Sequence, residues 1–203
     1  MPKEGIRTAP RADGSPVCPW QHVKYIDNFL RPLVHNPRRL FSPYVGPNMT
    51  ALDIGCGGGF ASLGLARLVG GGGKVIAADL QPEMLTVVRA RAREAGLSGR
   101  IQTHLCPPDR IGVTGPVDFA LAFFMVHEVP DKDRFFREIS ATLAPNGYFF
   151  VAEPLFHTTK RDFRQLIDRA AAAGLIAVEH PRVLFGRAVV LKRGAVEKTR
   201  SDG

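Results

Sequence analysis

Leu52-Asp53-Ile54-Gly55-Cys56-Gly57-Gly58-Gly59-Phe60 ends an apolar run with an acid and then places four glycines in the turn that follows. Glycine has no Cβ and tolerates φ > 0, so such a turn can bring backbone amides against a ligand where a side chain would collide. A phosphate-binding loop needs Lys followed by Ser or Thr at the helix start; Phe60-Ala61-Ser62 stands there, and that reading fails. The dinucleotide fingerprint G-x-G-x-x-G is met at Gly55 and Gly57, but its third glycine falls on Phe60, which opposes close helix-to-sheet contact. Asp53 beside the turn would repel a pyrophosphate and would suit an ammonium group or sugar hydroxyls. The loop therefore favours a zwitterionic nucleoside over a polyphosphate.

Lys74-Val75-Ile76-Ala77-Ala78-Asp79 is a second apolar run ending in an acid, twenty positions after Gly59. A carboxylate at the tip of a second strand can accept hydrogen bonds from two adjacent ribose hydroxyls. Together, Asp53-x-Gly55-x-Gly57-x-Gly59 and Asp79 resemble the first two motifs of class I S-adenosylmethionine-dependent methyltransferases, over roughly residues 45 to 192. The resemblance implies a small-molecule, type 11-like member of that family. It also implies an α/β fold: a doubly wound, seven-stranded, mostly parallel sheet of Rossmann-like type with an antiparallel last strand. S-adenosylmethionine is then the expected cofactor, with Asp53, Gly55, Cys56, Gly57 and Gly59 along its methionine part and Asp79 and Leu80 at its ribose. Cys106 and Pro107 are expected to flank the adenine end, and Phe123 is a further cofactor contact; Cys106-Pro107 stands where many relatives carry an Asp and a small residue, so Asp109 is another candidate there.

The order of elements expected from periodicity is a helix over 60–69 stopped by Gly70 to Gly73, a helix over 83–95, and strands over 101–106 and 117–123. A helix over 131–143 should stop at Pro145-Asn146-Gly147 before a strand over 148–152. A helix over 160–173 then leads to strands over 176–180 and 183–191, close enough to form an antiparallel hairpin. Four sections follow: a loosely attached start over 1–16, an N-terminal helical segment over 17–45, the main domain over 46–192 and a basic tail over 193–203. Residues 17–45, with Trp20, Val23, Ile26 and Phe29 broken by Pro32, either pack on the sheet or cover the site as a lid.

The formal charge of +8 raises nucleic acid as a partner. Residues 1–39 carry seven Lys or Arg against three acids and residues 192–203 four against two, which leaves sixteen against fourteen in between. A nearly neutral body lacks the basic stripe that tracks a phosphate backbone, so a small-molecule partner is expected and nucleic acid is not. There is no run of eighteen apolar residues and no secretory start, and a cytoplasmic location is the expectation. Cys18, Cys56 and Cys106 are odd in number and widely spaced, which argues against a disulfide framework or a zinc site; no metal is expected.

Methyl transfer from a sulfonium is an in-line displacement in which the protein mainly aligns and desolvates, with a general base needed only for a protonated nucleophile. His127 after the fourth strand is the candidate base, with Glu128 to hold its imidazole or a cationic acceptor. Trp20, Phe124, Met125, His127 and Glu153 are the expected substrate contacts. Three other readings stay open: an NAD-dependent oxidoreductase, an arsenic-binding protein or methyltransferase using the three cysteines, and an RNA methyltransferase.

Overall fold

The computed structural model describes residues 34–194. Its strands are β1 (Thr50–Ile54), β2 (Lys74–Asp79), β3 (Ile101–Leu105), β4 (Val117–Phe123), β5 (Leu143–Pro154), β6 (Leu175–Glu179) and β7 (Gly186–Arg193). Its α-helices are α1 (Pro37–Phe41), α2 (Phe60–Leu68), α3 (Pro82–Glu94), α4 (Lys132–Thr142) and α5 (Lys160–Ala172). The seven strands form one sheet in the order β3-β2-β1-β4-β5-β7-β6, parallel except for β7, which runs antiparallel to both β5 and β6. The doubly wound expectation and the closing hairpin are both found. Trp20, Cys18, the 1–16 start and most of the 17–45 segment lie outside the described residues.

Both faces of the sheet are covered, and two consecutive phenylalanines show how one strand serves both. Phe149 and Phe150 on β5 are fully buried, and strand alternation sends them to opposite sides. Phe149 meets Phe135 and Phe136 of α4, while Phe150 meets Phe41 and Tyr44 at the other face. Full burial of such a side chain contributes about 1.5–3 kcal/mol, so these rings anchor the helices that frame the site. Residues 34–45, the described part of the expected lid, pack into this second layer through Phe41, Tyr44 and Val45.

Local chemistry sets the helix starts. Asp131 caps α4 by accepting from the Arg134 amide, and Thr159 caps α5 in a reciprocal box with Asp162. Pro82 opens α3 at a position whose N–H would be unsatisfied anyway. Two strand starts differ from expectation by more than one residue. Leu143, expected as the last helical residue, already pairs with Val117, and the chain bulges through Pro145-Asn146-Gly147 before Tyr148 pairs with Phe119. The turn signal is real but is absorbed as a bulge in β5, where a Cβ on Gly147 would press on Leu143 and the Val117 carbonyl at 3.0 Å. Strand β7 starts at Gly186, because Val183 and Gly186 close the turn through a single bridge.

Candidate active site

The carboxyl ends of β1 and β4 part where the strand order reverses, which is where open α/β sheets bind ligands. A cavity of about 620 Å³ opens there, within the usual range for a small-molecule pocket. One wall comes from Gly55, Cys56, Gly57, Asp79 and Leu80, continued by Cys106, Pro107 and Asp109. The facing wall comes from Phe123, Phe124, Met125, His127, Glu128 and Phe156. A larger groove of about 920 Å³ lies between α1 and the β6–β7 turn, but no carboxylate and no part of the glycine turn lines it.

Gly55, Gly57 and Gly59 have φ of 64°, 51° and 81°, all in the left-handed region. The three differ in what surrounds them. A Cβ at Gly55 would meet Met125 at 3.0 Å, and one at Gly59 would meet Val88 of α3 at 2.9 Å, whereas one at Gly57 would meet nothing within 4 Å. Gly57 is therefore the residue whose backbone faces open space. Gly59, expected along a cofactor, does not line the cavity; it lets α2 start close against α3. That close approach is the role assigned to the third dinucleotide glycine, met here one residue before Phe60. Arg91 of α3 fastens the turn by donating to the Gly58 carbonyl at 2.8 Å.

Asp79 accepts the Gly57 amide on one oxygen and the Gln81 amide on the other, both at 2.9 Å. A carboxylate is acceptor-only, and this one keeps capacity for ribose hydroxyls beside its amide donors. Burial pushes the Asp79 carboxyl above the usual range; the Gln81, Gly57 and Leu80 amides oppose this and the Glu128 charge adds to it. Asp53 requires a correction. It is 1% exposed and accepts the Ser62 hydroxyl at 2.5 Å, so it braces the turn from beneath rather than lining the cavity.

On the facing wall, Phe124 has a φ of 62°, a rare conformation for a non-glycine residue. Its ring packs tilted by 34° against Phe123 with centroids 4.4 Å apart and makes a T-shaped contact with His35 at 5.4 Å. It fits because residue 186 is glycine, where a Cβ would sit 2.9 Å from the ring. His127 lies in a single 3₁₀ turn, Val126–Glu128, that follows β4. Its Nδ1 is 2.6 Å from Glu153 Oε2, while its Nε2 lies 3.9 Å from Glu128 Oε1. Glu153, not Glu128, holds the imidazole. Glu153 is also fully buried, which corrects its expected role as a substrate contact.

Both described thiols are suppressed as nucleophiles. Burial, reinforced by Asp53 and Asp79, lifts Cys56 well above the ordinary thiol value, and burial beside Asp79 pushes Cys106 up to about 12. Burial at both sites works against the reactive thiolate form. Sequence reading missed Arg134 and Glu138, which line the cavity on one face of α4. Arg134 bonds Asp109 at 3.0 Å and Glu138 at 3.2 Å, and Glu138 accepts the Ile111 amide at 2.8 Å, so the loop after β3 is latched to α4. Their i, i+4 spacing was the available signal.

A family model described as a methyltransferase domain matches residues 46–182. A ubiquinone biosynthesis O-methyltransferase from Xanthomonas axonopodis pv. citri (strain 306) is 33% identical over 101 residues, 50% of this chain and 41% of that protein. Its counterpart from Methylobacterium sp. (strain 4-46) is 33% identical over 134 residues, 64% of this chain and 49% of that protein. The chain thus spans about half the length of the curated relatives it matches. A solved SAM dependent methyltransferase from Aquifex aeolicus superposes with a TM-score of 0.79 at 22% identity, covering 87% of this chain and 100% of that one; the likeness is one of fold.

Proposed function

From the premise that this chain belongs to the class I S-adenosylmethionine-dependent methyltransferase family, we propose that it methylates a hydroxyl group on a small, largely apolar acceptor. One observation carries the reading: a single cavity joins the Gly57 backbone and Asp79 on one wall to His127 on the other. The O-methyltransferase names of the relatives support a hydroxyl over other acceptors. The near-neutral charge of residues 40–191 supports a small molecule over nucleic acid. Among the described residues no helix is long and apolar enough to cross a membrane, and a cytoplasmic site of action belongs to the same reading.

The cavity suits the cofactor. Gly57 offers backbone with open space before it, Asp79 retains acceptor capacity for a ribose diol, and Leu80, Cys106 and Pro107 offer an apolar seat for adenine. When bound, S-adenosylmethionine supplies an activated methyl with a good leaving group, so the chain must align, desolvate and accept a proton. Phe123, Phe124 and Met125 exclude water around the acceptor. With the cofactor's methyl as the transferred group and its thioether as the leaving group, His127 would take the acceptor's hydroxyl proton at Nε2. His127 would then carry that proton as an imidazolium.

Two measurements test the reading. Calorimetry should detect S-adenosylmethionine or its demethylated product, with Asp79→Ala weakening it by about 10- to 100-fold through loss of charge-assisted hydrogen bonds. No binding to the wild type would overturn the assignment. Transfer of a labelled methyl to a panel of phenols, thiols and amines should mark oxygen; label on sulfur or nitrogen alone would replace the hydroxyl acceptor.

A further inference from the structure

We propose that Glu153 is a positioning residue that fixes the tautomer of His127, keeping the proton on Nδ1 and the Nε2 lone pair available to the acceptor. The proposal rests on the reading of His127 as the base. It goes further in assigning the proton to one nitrogen and in giving a role to a carboxylate that touches no ligand.

Glu153 lies on β5, which is hydrogen-bonded on both sides by β4 and β7, and its side chain is fully buried. A buried carboxylate is tolerated only where donors surround it. Oε1 accepts the Val126 amide at 2.8 Å. Oε2 accepts the His127 amide at 3.1 Å and the Thr158 hydroxyl at 3.2 Å, and stands 2.6 Å from His127 Nδ1. An ionised carboxylate only accepts, so this contact requires a proton on Nδ1, and in a neutral imidazole Nε2 is then the acceptor.

The same geometry answers what happens after proton transfer. The imidazolium forms 2.6 Å from a fixed negative charge, so its charge is met without rearrangement. Among the described residues, Glu128 at 3.9 Å and the His157 ring, stacked at 5.3 Å and 5° from parallel, are the other titratable groups facing His127. The Thr158 end is itself held, because Arg187 of β7 donates to its carbonyl at 2.6 Å. A carboxylate that only capped the 3₁₀ turn would need the Val126 and His127 amides and no ring nitrogen. The ring contact is what makes the cap also hold the tautomer.

The test is long-range proton–nitrogen NMR of the full chain with ¹⁵N-labelled histidine at mildly alkaline pH, with His127 assigned by comparison with His127→Gln. Wild type should show the Nδ1-protonated tautomer. The opposite tautomer in wild type overturns the proposal without any variant. Glu153→Gln, which must turn either a carbonyl or an amino group toward Nδ1, should shift the ring to a mixture, and Glu153→Asp should restore the wild-type form in part. An unchanged tautomer in both variants also overturns it.

Methyl transfer to a phenol should fall by about 100-fold or more in Glu153→Gln, with S-adenosylmethionine affinity within about twofold. A full rate in Glu153→Gln beside an inactive His127→Gln removes the positioning role and leaves the base. A full rate in His127→Gln removes the base itself.

Discussion

Replacing Gly59 by alanine separates a packing role from a ligand-binding one. The φ of 81° places residue 59 in the left-handed region, where an L side chain costs about 1–2 kcal/mol. The added Cβ would also stand 2.9 Å from Val88 Cγ2, and Val88 is fully buried on α3, so neither partner can swing into solvent. Overpacking of that kind typically costs a further ~1–3 kcal/mol, which brings the expected loss to about 2–5 kcal/mol. Urea unfolding should report it as a lower midpoint with an unchanged slope. Val88→Ala alone should cost about 2 kcal/mol, from two lost carbons and the cavity they leave. In the double variant the methyl added at position 59 occupies that space, and the two changes should couple favourably by about 1–3 kcal/mol while the backbone part persists. Because Gly59 does not line the cavity, S-adenosylmethionine affinity of the folded variant should stay within about threefold of wild type. A Gly59→Ala loss below ~0.5 kcal/mol, or strict additivity with Val88→Ala, would refute the packing account. A large affinity loss in a fully folded variant would restore Gly59 to the ligand.

Two further outcomes follow from buried acids and thiols. The folded Asp79 carboxyl titrates above its ordinary value, chiefly through burial, so ionising it works against the fold. Wild-type stability relative to Asp79→Asn should be greatest in acid and should decline as pH rises from about 4 through the folded pKa. Melting temperatures of the two proteins across that range measure the gap; a constant gap, or one that widens in favour of wild type, contradicts the assignment. In a Cys18→Ser background, alkylation of Cys56 and Cys106 at neutral pH should be far slower than that of a free thiol and should speed up toward pH 12, given burial at both sites and a Cys106 value of about 12. Rapid labelling of both at neutral pH would show them to be exposed thiolates.

The strands and the glycine turn were legible because apolar runs ending in acids mark the carboxyl edge of a buried parallel sheet. What lay beyond the sequence was the direction of side chains. Every residue of β1 after Thr50 is buried, so no alternation announced that Ile54 lines the cavity while Asp53 lies beneath the turn. Glu153 reads as a mouth residue because it ends a strand run, and only the fold shows Val126, His127 and Thr158 closing over it. The Pro145-Asn146-Gly147 run carries the chemistry of a turn, yet Leu143 pairs before it and Tyr148 after it, so tertiary pairing outweighed the local signal. Gly59 and Phe60 illustrate a finer failure: the spacing of a motif was read strictly, while the need it serves was met one residue earlier.

The reversal of strand order between β1 and β4 also divides the cavity along the chain. One wall is drawn from residues 54–111 and the other from 123–157, and nothing in 112–122 contributes to either. The loop across Gly112 and Gly115 is thus a natural seam for recombination. Chimaeras crossed there with a relative would inherit the wall of Gly57 and Asp79 from one parent and the wall of Phe124 and His127 from the other. Under the proposed reaction, acceptor preference should travel with the second wall as a cassette.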